Sequence, residues 1–176
     1  MQFEEAFKFI MKYEGGYSNH PNDKGGETNY GISTRFIRAN GLDIKNVRDI
    51  TVQQAKDIYR TYFWDLLKAN CFNDDIVQLF LFDTAANCGV GRATEILQIA
   101  LNAWMPISID GIVGKETIST CNSMVEQKRN KALLYEMLKA NRIGYYETII
   151  RNNGKLRTFL KGWVNRVVEL FKYGTH

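Results

Sequence analysis

Histidine, proline and cysteine are all scarce in this chain of 176 residues, numbering two, two and three. The histidines, His20 and His176, stand far from each other and from Cys71, Cys88 and Cys121, and no C-x-x-C pair occurs. That spacing gives no zinc ligand set, and neither a metal nor a cofactor is expected. Three scattered thiols also argue against a disulfide framework and predict reduced, structural cysteines made in a reducing compartment. Pro21 and Pro106 both fall in turn-rich stretches, with no proline-rich linker, low-complexity tract or internal repeat. Long hydrophobic runs are missing too. The most apolar stretch, residues 76–86, contains Gln78 and Asp83, is too short to span a bilayer, and is expected to be a buried core helix. The opening Met1-Gln2-Phe3-Glu4-Glu5 is acidic where a secretory signal needs positive charge and an apolar run. Gly25-Gly26 lacks a following Lys-Ser/Thr, and Gly89-Val90-Gly91 has no third glycine at the required distance, so nothing marks nucleotide binding.

What is present is an ordinary globular composition, 45% hydrophobic and 24% charged. The length fits one domain, or one domain with a small helical appendage. The net charge of +4 is unevenly spread. Residues 128–176 hold eleven Lys and Arg against three Glu, whereas residues 1–127 hold twelve against sixteen acidic groups. A basic C-terminal third can face an anionic polymer such as cell wall, nucleic acid or a lipid surface, or simply be the solvated side of two helices.

Phe3, Phe7, Ile10 and Met11 recur at helical spacing, so residues 2–13 are expected as an amphipathic helix stopped by Gly15-Gly16 in the left-handed conformation. Glu14 then sits in or just past the last turn, where the negative dipole end disfavours a carboxylate. Residues 17–33, dense in Gly, Asn, Asp and Thr, predict a loop or short β-hairpin. Ser33 can cap a short helix ending near Asn40-Gly41. Thr51 with Gln54 makes a capping box for a helix through Phe63. Asp74-Asp75 can open the apolar helix to Asn87, broken by residues 89–91, and residues 92–103 form another helix. Residues 104–114 are turn-rich; helices near 115–124, 126–151 and 155–172 follow, the last with a core-facing stripe from Leu156 and Phe159 to Phe171. The fold class is mainly α with one small β excursion.

Several of these segments together are familiar. Glu14-Gly15-Gly16-Tyr17, the loop Asn22-Asp23-Lys24-Gly25-Gly26-Glu27-Thr28-Asn29-Tyr30-Gly31-Ile32, and Asp83-x-x-x-Asn87-x-Gly89 resemble the glycoside hydrolase family 108 N-acetylmuramidases. Leu97-Gln98-x-x-Leu101-Asn102, then Asp110-Gly111-Ile112-Val113-Gly114-Lys115-Glu116-Thr117, resemble the predicted peptidoglycan-binding region that accompanies that module, and residues 159–167 resemble its closing helix. The resemblance covers nearly the whole chain, in the family's order. It implies a lysozyme-like helical fold, with a catalytic region over residues 1–90 and a peptidoglycan-binding helical region over 91–176 packed as one globular unit. It also implies hydrolysis of the β-1,4 bond between N-acetylmuramic acid and N-acetylglucosamine, with Glu14 as general acid. Phage-type lysozymes place Glu, eight residues, Asp, five residues and Thr in sequence. Here Asp23 keeps the eight-residue gap, but Asn29 holds the last position, with Thr28 one place early.

The chemistry needs an acid to protonate the leaving oxygen, and apolar surroundings help such a group keep its proton. Tyr13, Tyr17 and Tyr30 are candidates to supply them. Asp23 would act as base on a water or stabilise the oxocarbenium-like transition state, though Asn22-Asp23-Lys24-Gly25 is also ordinary turn chemistry. Thr28 or Asn29 could position the water, while Tyr17, Tyr30, Gly31 and Asn87 are candidates to contact sugar. Asp83 inside an apolar helix needs a buried partner, and Asp110-Gly111 predicts a tight turn organised by its aspartate. A gap of the phage-lysozyme kind leans towards inversion. A lytic transglycosylase using Glu14 alone, or a non-catalytic wall-binding or secretion-associated protein, are the competing functions. The partner expected is the peptidoglycan glycan strand, without nucleic acid or stable membrane insertion. Delivery to the wall from the cytoplasm would need a holin, as for an endolysin, or a dedicated secretion route.

Overall fold

Local caps and amphipathic spacing decide where the helices begin. The computed structural model describes residues 1–18 and 26–173. Its backbone divides into two compact units, Gln2–Trp64 and Asp65–His176 together with Met1. The described residues form eight α-helices, short 3-10 and π-helical segments and one two-stranded antiparallel sheet, so the mainly α expectation holds.

In the N-terminal unit, α1 (Phe3–Met11) is opened by the Glu5 carboxylate accepting the Gln2 N–H at 3.3 Å, and it buries Phe3, Ala6, Phe7, Phe9 and Ile10. The hairpin β1 (Thr28–Asn29) and β2 (Ile32–Ser33) pairs Thr28 with Ser33 and Asn29 with Ile32. Ser33 then caps α2 (Thr34–Ala39), its hydroxyl accepting from Phe36 N at 3.0 Å. A 3-10 turn, Val47–Asp49, leads to α3 (Val52–Tyr59), which begins with the expected Thr51/Gln54 capping box. The chain continues past α3 as a π-helical segment, Arg60–Trp64, instead of as the α-helix expected to Phe63. Aromatic edges fill this core: Phe3 meets Trp64 at 5.6 Å and Phe7 meets Tyr59 at 5.7 Å between ring centroids.

The C-terminal unit is built on α4 (Asp75–Cys88), in which every residue from 76 to 85 is buried. A helix apolar all round must be covered on every side, and α5 (Val90–Asn102) and α8 (Leu160–Lys172) both pack on it. Gly89, at φ 87°, makes the break between α4 and α5 by itself. Around them lie α6 (Lys115–Glu126) and the long α7 (Lys128–Asn152). Asp74 caps α4 through Val77 N at 3.0 Å and ties it to α7, accepting from the Tyr135 hydroxyl at 2.8 Å and pairing with Lys131 at 2.6 Å.

Two expectations are corrected. Neither Gly15 nor Gly16 has positive φ. The helix ends instead by tightening at Lys12, whose N–H reaches Phe9 O. The last helix also starts late. Residues 154–159 form a 3-10 segment, and Phe159, expected on the buried stripe, is 55% exposed. Only the far end of the stripe, with Val167, Leu170 and Phe171, is buried. No helix among the described residues is long and apolar enough to cross a membrane.

Candidate active site

Glu14 lies three residues past α1, yet its backbone is still held by the helix, because Glu14 N donates to Ile10 O at 3.0 Å. Ile10 is fully buried, so the carboxylate starts from a rigid anchor and is itself half-buried. Facing it is the tip of the hairpin. A two-residue turn whose hand matches the strand twist needs positive φ at both central residues. Tyr30 and Gly31 supply it, at 51° and 75°. A Cβ at Gly31 would stand 2.5 Å from Glu14 Oε2 and 2.5 Å from the Tyr59 hydroxyl oxygen. The missing side chain is therefore what lets the carboxylate lie against the turn. Tyr59, from α3, fixes that turn by donating its hydroxyl to Tyr30 O at 3.1 Å.

Tyr17 lies on the exposed segment leading away from Glu14. Its hydroxyl donates to Glu27 Oε1 at 2.8 Å and accepts from Arg48 Nη2 at 2.7 Å, while the guanidinium carbon sits 4.2 Å from the ring centroid. The Tyr17 hydroxyl raises the pKa of Arg48 above its ordinary value. A carboxylate, a phenol and a guanidinium thus form an exposed polar row on the N-terminal unit. Such a row can bind hydroxyl or acyl groups of a sugar.

Strand alternation separates the two candidates for the third residue. Asn29 and Ile32 point to the buried side, and Thr28 and Ser33 to the half-exposed one. Asn29 is 5% exposed, and its amide nitrogen lies 3.2, 3.2 and 3.4 Å from the carbonyls of Val47, Arg48 and Ile50. Its amide group holds the 3-10 turn to the hairpin. Thr28 is half-buried, and its backbone bridges Ser18 through two 2.8 Å hydrogen bonds. Asp23 falls outside the described residues.

The remaining candidates lie in the C-terminal unit. Asp83 is wholly buried, with Oδ1 2.8 Å from Arg166 and Oδ2 2.7 Å from Arg142 Nη1. Burial works to lower the Arg142 pKa, and Asp83, Tyr146 and Cys88 together outweigh it, leaving the guanidinium above its ordinary value. Asn87 is exposed and donates back to Asp83 O at 2.7 Å, one turn earlier. Asp110 Oδ1 accepts from Gln98 at 2.8 Å and from Ile112 N at 2.9 Å, and those bonds, Gln98 first, hold its pKa below the usual carboxylate value. Gly111, at φ 72°, brings the same loop so close that a Cβ would stand 3.2 Å from Gly91 O.

The structure therefore gathers Glu14, Tyr30 and Gly31 in one place and adds Tyr59. It gathers Tyr17 with Glu27, a residue of the loop motif with no role expected from the sequence, and with Arg48, which the sequence did not single out. Tyr59 was hidden in an apolar stripe with Ala55 and Ile58, where an aromatic reads as core. For Arg48 no local spacing signals its place over Tyr17.

Comparison with known proteins adds two family matches and one structural likeness. Residues 7–89 match the family described as Glycosyl hydrolase 108. Residues 92–168 match a family described as Predicted Peptidoglycan domain. The fold is similar to that of SagA from Brucella abortus, with 27% identity and a TM-score of 0.78, over 96% of this chain and 90% of that one. No curated protein matches the sequence.

Proposed function

We propose, from the premise that the chain belongs to the glycosyl hydrolase 108 family through residues 7–89, that it is an N-acetylmuramidase. With the predicted peptidoglycan domain at residues 92–168, the chain is a peptidoglycan hydrolase. The bond, the acid and the stereochemistry are the proposal. The cleavage chemistry is assigned to residues 1–90 and wall binding to residues 91–176. Glu14 protonates the glycosidic oxygen of the β-1,4 bond, so that N-acetylglucosamine leaves as a neutral alcohol. Water adds to the anomeric carbon of N-acetylmuramic acid from the opposite face, and its proton passes to a carboxylate base, the role assigned to Asp23. Two carboxyl groups roughly 6.5–9.5 Å apart would leave room for that water and invert the configuration.

One observation carries the choice of Glu14: its carboxylate is held against the left-handed turn at Gly31 from a helix-anchored backbone. A catalytic group works best when rigid elements fix its position. For the third residue Thr28 is preferred, since its hydroxyl is on the half-exposed side while the Asn29 amide nitrogen serves backbone carbonyls. Tyr17, Tyr30 and Gly31 are assigned to sugar contact.

A turbidity assay on purified peptidoglycan tests this. Glu14→Gln is expected to lose about a hundredfold or more of the clearing rate, and clearing at the wild-type rate would overturn the assignment. Mass spectrometry of the products should show muramic acid ends carrying a full water. Products one water lighter would instead make the enzyme a lytic transglycosylase.

A further inference from the structure

Beyond the candidate active site, the C-terminal unit contains a pocket lined by Glu147, Ile150, Arg151, Gly154, Arg157 and Leu160. It forms where α7 ends and the 3-10 segment Gly154–Phe159 turns the chain into α8. Its charged groups are placed unusually. Glu147 precedes Arg151 by four residues on α7, the order and spacing that favour an ion pair on a helix surface. Other helix pairs in the same unit close, as Arg92 does with Glu95 at 2.5 Å and Lys139 with Glu136 at 2.6 Å. Among the described residues Glu147 and Arg151 do not close, and Arg157 has no ionic partner either. All three line the same opening. Ile150 and Leu160 are half-buried and supply an apolar lining, and a Cβ on Gly154 would meet nothing within 4 Å.

We propose that this pocket binds the stem peptide of peptidoglycan, through its carboxylates. The glycan strand offers hydroxyl and acetamido groups, whereas the peptide brings carboxylates, small methyl groups and, where a diamino acid occurs, an ammonium. Two guanidiniums suit carboxylates because their planar donors can bind both oxygens at once. Ile150 and Leu160 suit alanine methyls, and Glu147 suits the ammonium. The net positive pocket also lies in the basic C-terminal third and within the segment matched to the peptidoglycan domain. The identity of the polymer rests on the peptidoglycan-hydrolase reading. The chemistry of the pocket does not depend on Glu14.

Calorimetric titration of the full chain tests this with three probes: a disaccharide carrying its stem peptide, the same disaccharide without peptide, and the free peptide. The two peptide-bearing probes are expected to bind and the bare disaccharide to bind at least about tenfold more weakly. Arg151→Ala and Arg157→Ala are each expected to weaken the peptide-bearing probes about tenfold, and Glu147→Gln to weaken only peptides with an unblocked amine. Circular dichroism checks that these variants fold, and Gly154→Leu offers a second route to blocking the pocket. Equal binding of all three probes, or unchanged binding in the double arginine variant, would overturn the proposal. So would displacement of the peptide by an equal concentration of inorganic phosphate, which would make the pocket a general anion site. The Glu14→Gln chain should bind the peptide as the wild type does. Binding without lysis by the wild type would remove the muramidase assignment alone, and lysis without pocket binding would remove this one alone.

Discussion

At Gly31 the backbone and the candidate acid compete for the same few ångströms. A positive φ of 75° already strains any residue with a side chain, and the space where a methyl would go is taken by Glu14 and Tyr59. Gly31→Ala is therefore expected to cost about 1–3 kcal/mol of stability and to lower peptidoglycan clearing by displacing Glu14. Gly16 makes a good control, since its φ is not left-handed and an added Cβ meets nothing within 4 Å. Thermal melting and turbidity measured on both variants give the comparison. Equal behaviour of the two would show that the close approach at Gly31 has no consequence. Cys121 illustrates a residue fixed by its surroundings in another way. Burial, with Asp74 adding to it, pushes its thiol up to about 12.

Among the elements, α4, α7 and α8 are joined by charge as well as by apolar packing. Asp83 on α4 meets Arg142 on α7 and Arg166 on α8, all three buried. Removing the anion takes the buried carboxylate away from both guanidiniums at once, so Asp83→Ala is expected to lower stability by about 3–5 kcal/mol. Replacing all three groups with apolar residues of similar volume should recover most of that loss. Urea unfolding of the single and triple variants would measure both effects, and a near-neutral Asp83→Ala would show that the ion pairs add little. The starts of elements were legible because a cap speaks to its own next turn: Ser33, Thr51 and Asp74 each bond a backbone N–H three residues on. That Asp83 needed a partner was legible as well. That the partners are Arg142 and Arg166 was not, because tertiary packing chooses among many cations in a basic segment. The candidate site divides the same way. Glu14 was singled out by the family resemblance and a loop or hairpin over residues 17–33 by its turn residues, while Tyr59 and Arg48 come from elements 29 and 31 positions beyond Tyr30 and Tyr17.

For the whole molecule, family boundaries and compact units fall in different places. The glycosyl hydrolase 108 match ends at residue 89, but the N-terminal unit ends at Trp64, and α4 belongs to the core of the C-terminal unit. A fragment of residues 1–90 would carry α4 without α5, α7 and α8, leaving an apolar helix with its cover removed. Such a fragment is expected to associate or to bind a hydrophobic dye strongly, as size-exclusion chromatography and dye fluorescence would report. A monomeric fragment with a cooperative melt would contradict this. The same arrangement sets a clock on biosynthesis. Arg166 follows Asp83 by 83 positions, and at about 5–20 residues per second the ribosome delivers the second cation roughly 4 to 17 seconds after the anion. Until α8 is made, α4 lacks both the second cation of its buried anion and part of its apolar cover, so the core of the C-terminal unit cannot close before the last helix is delivered.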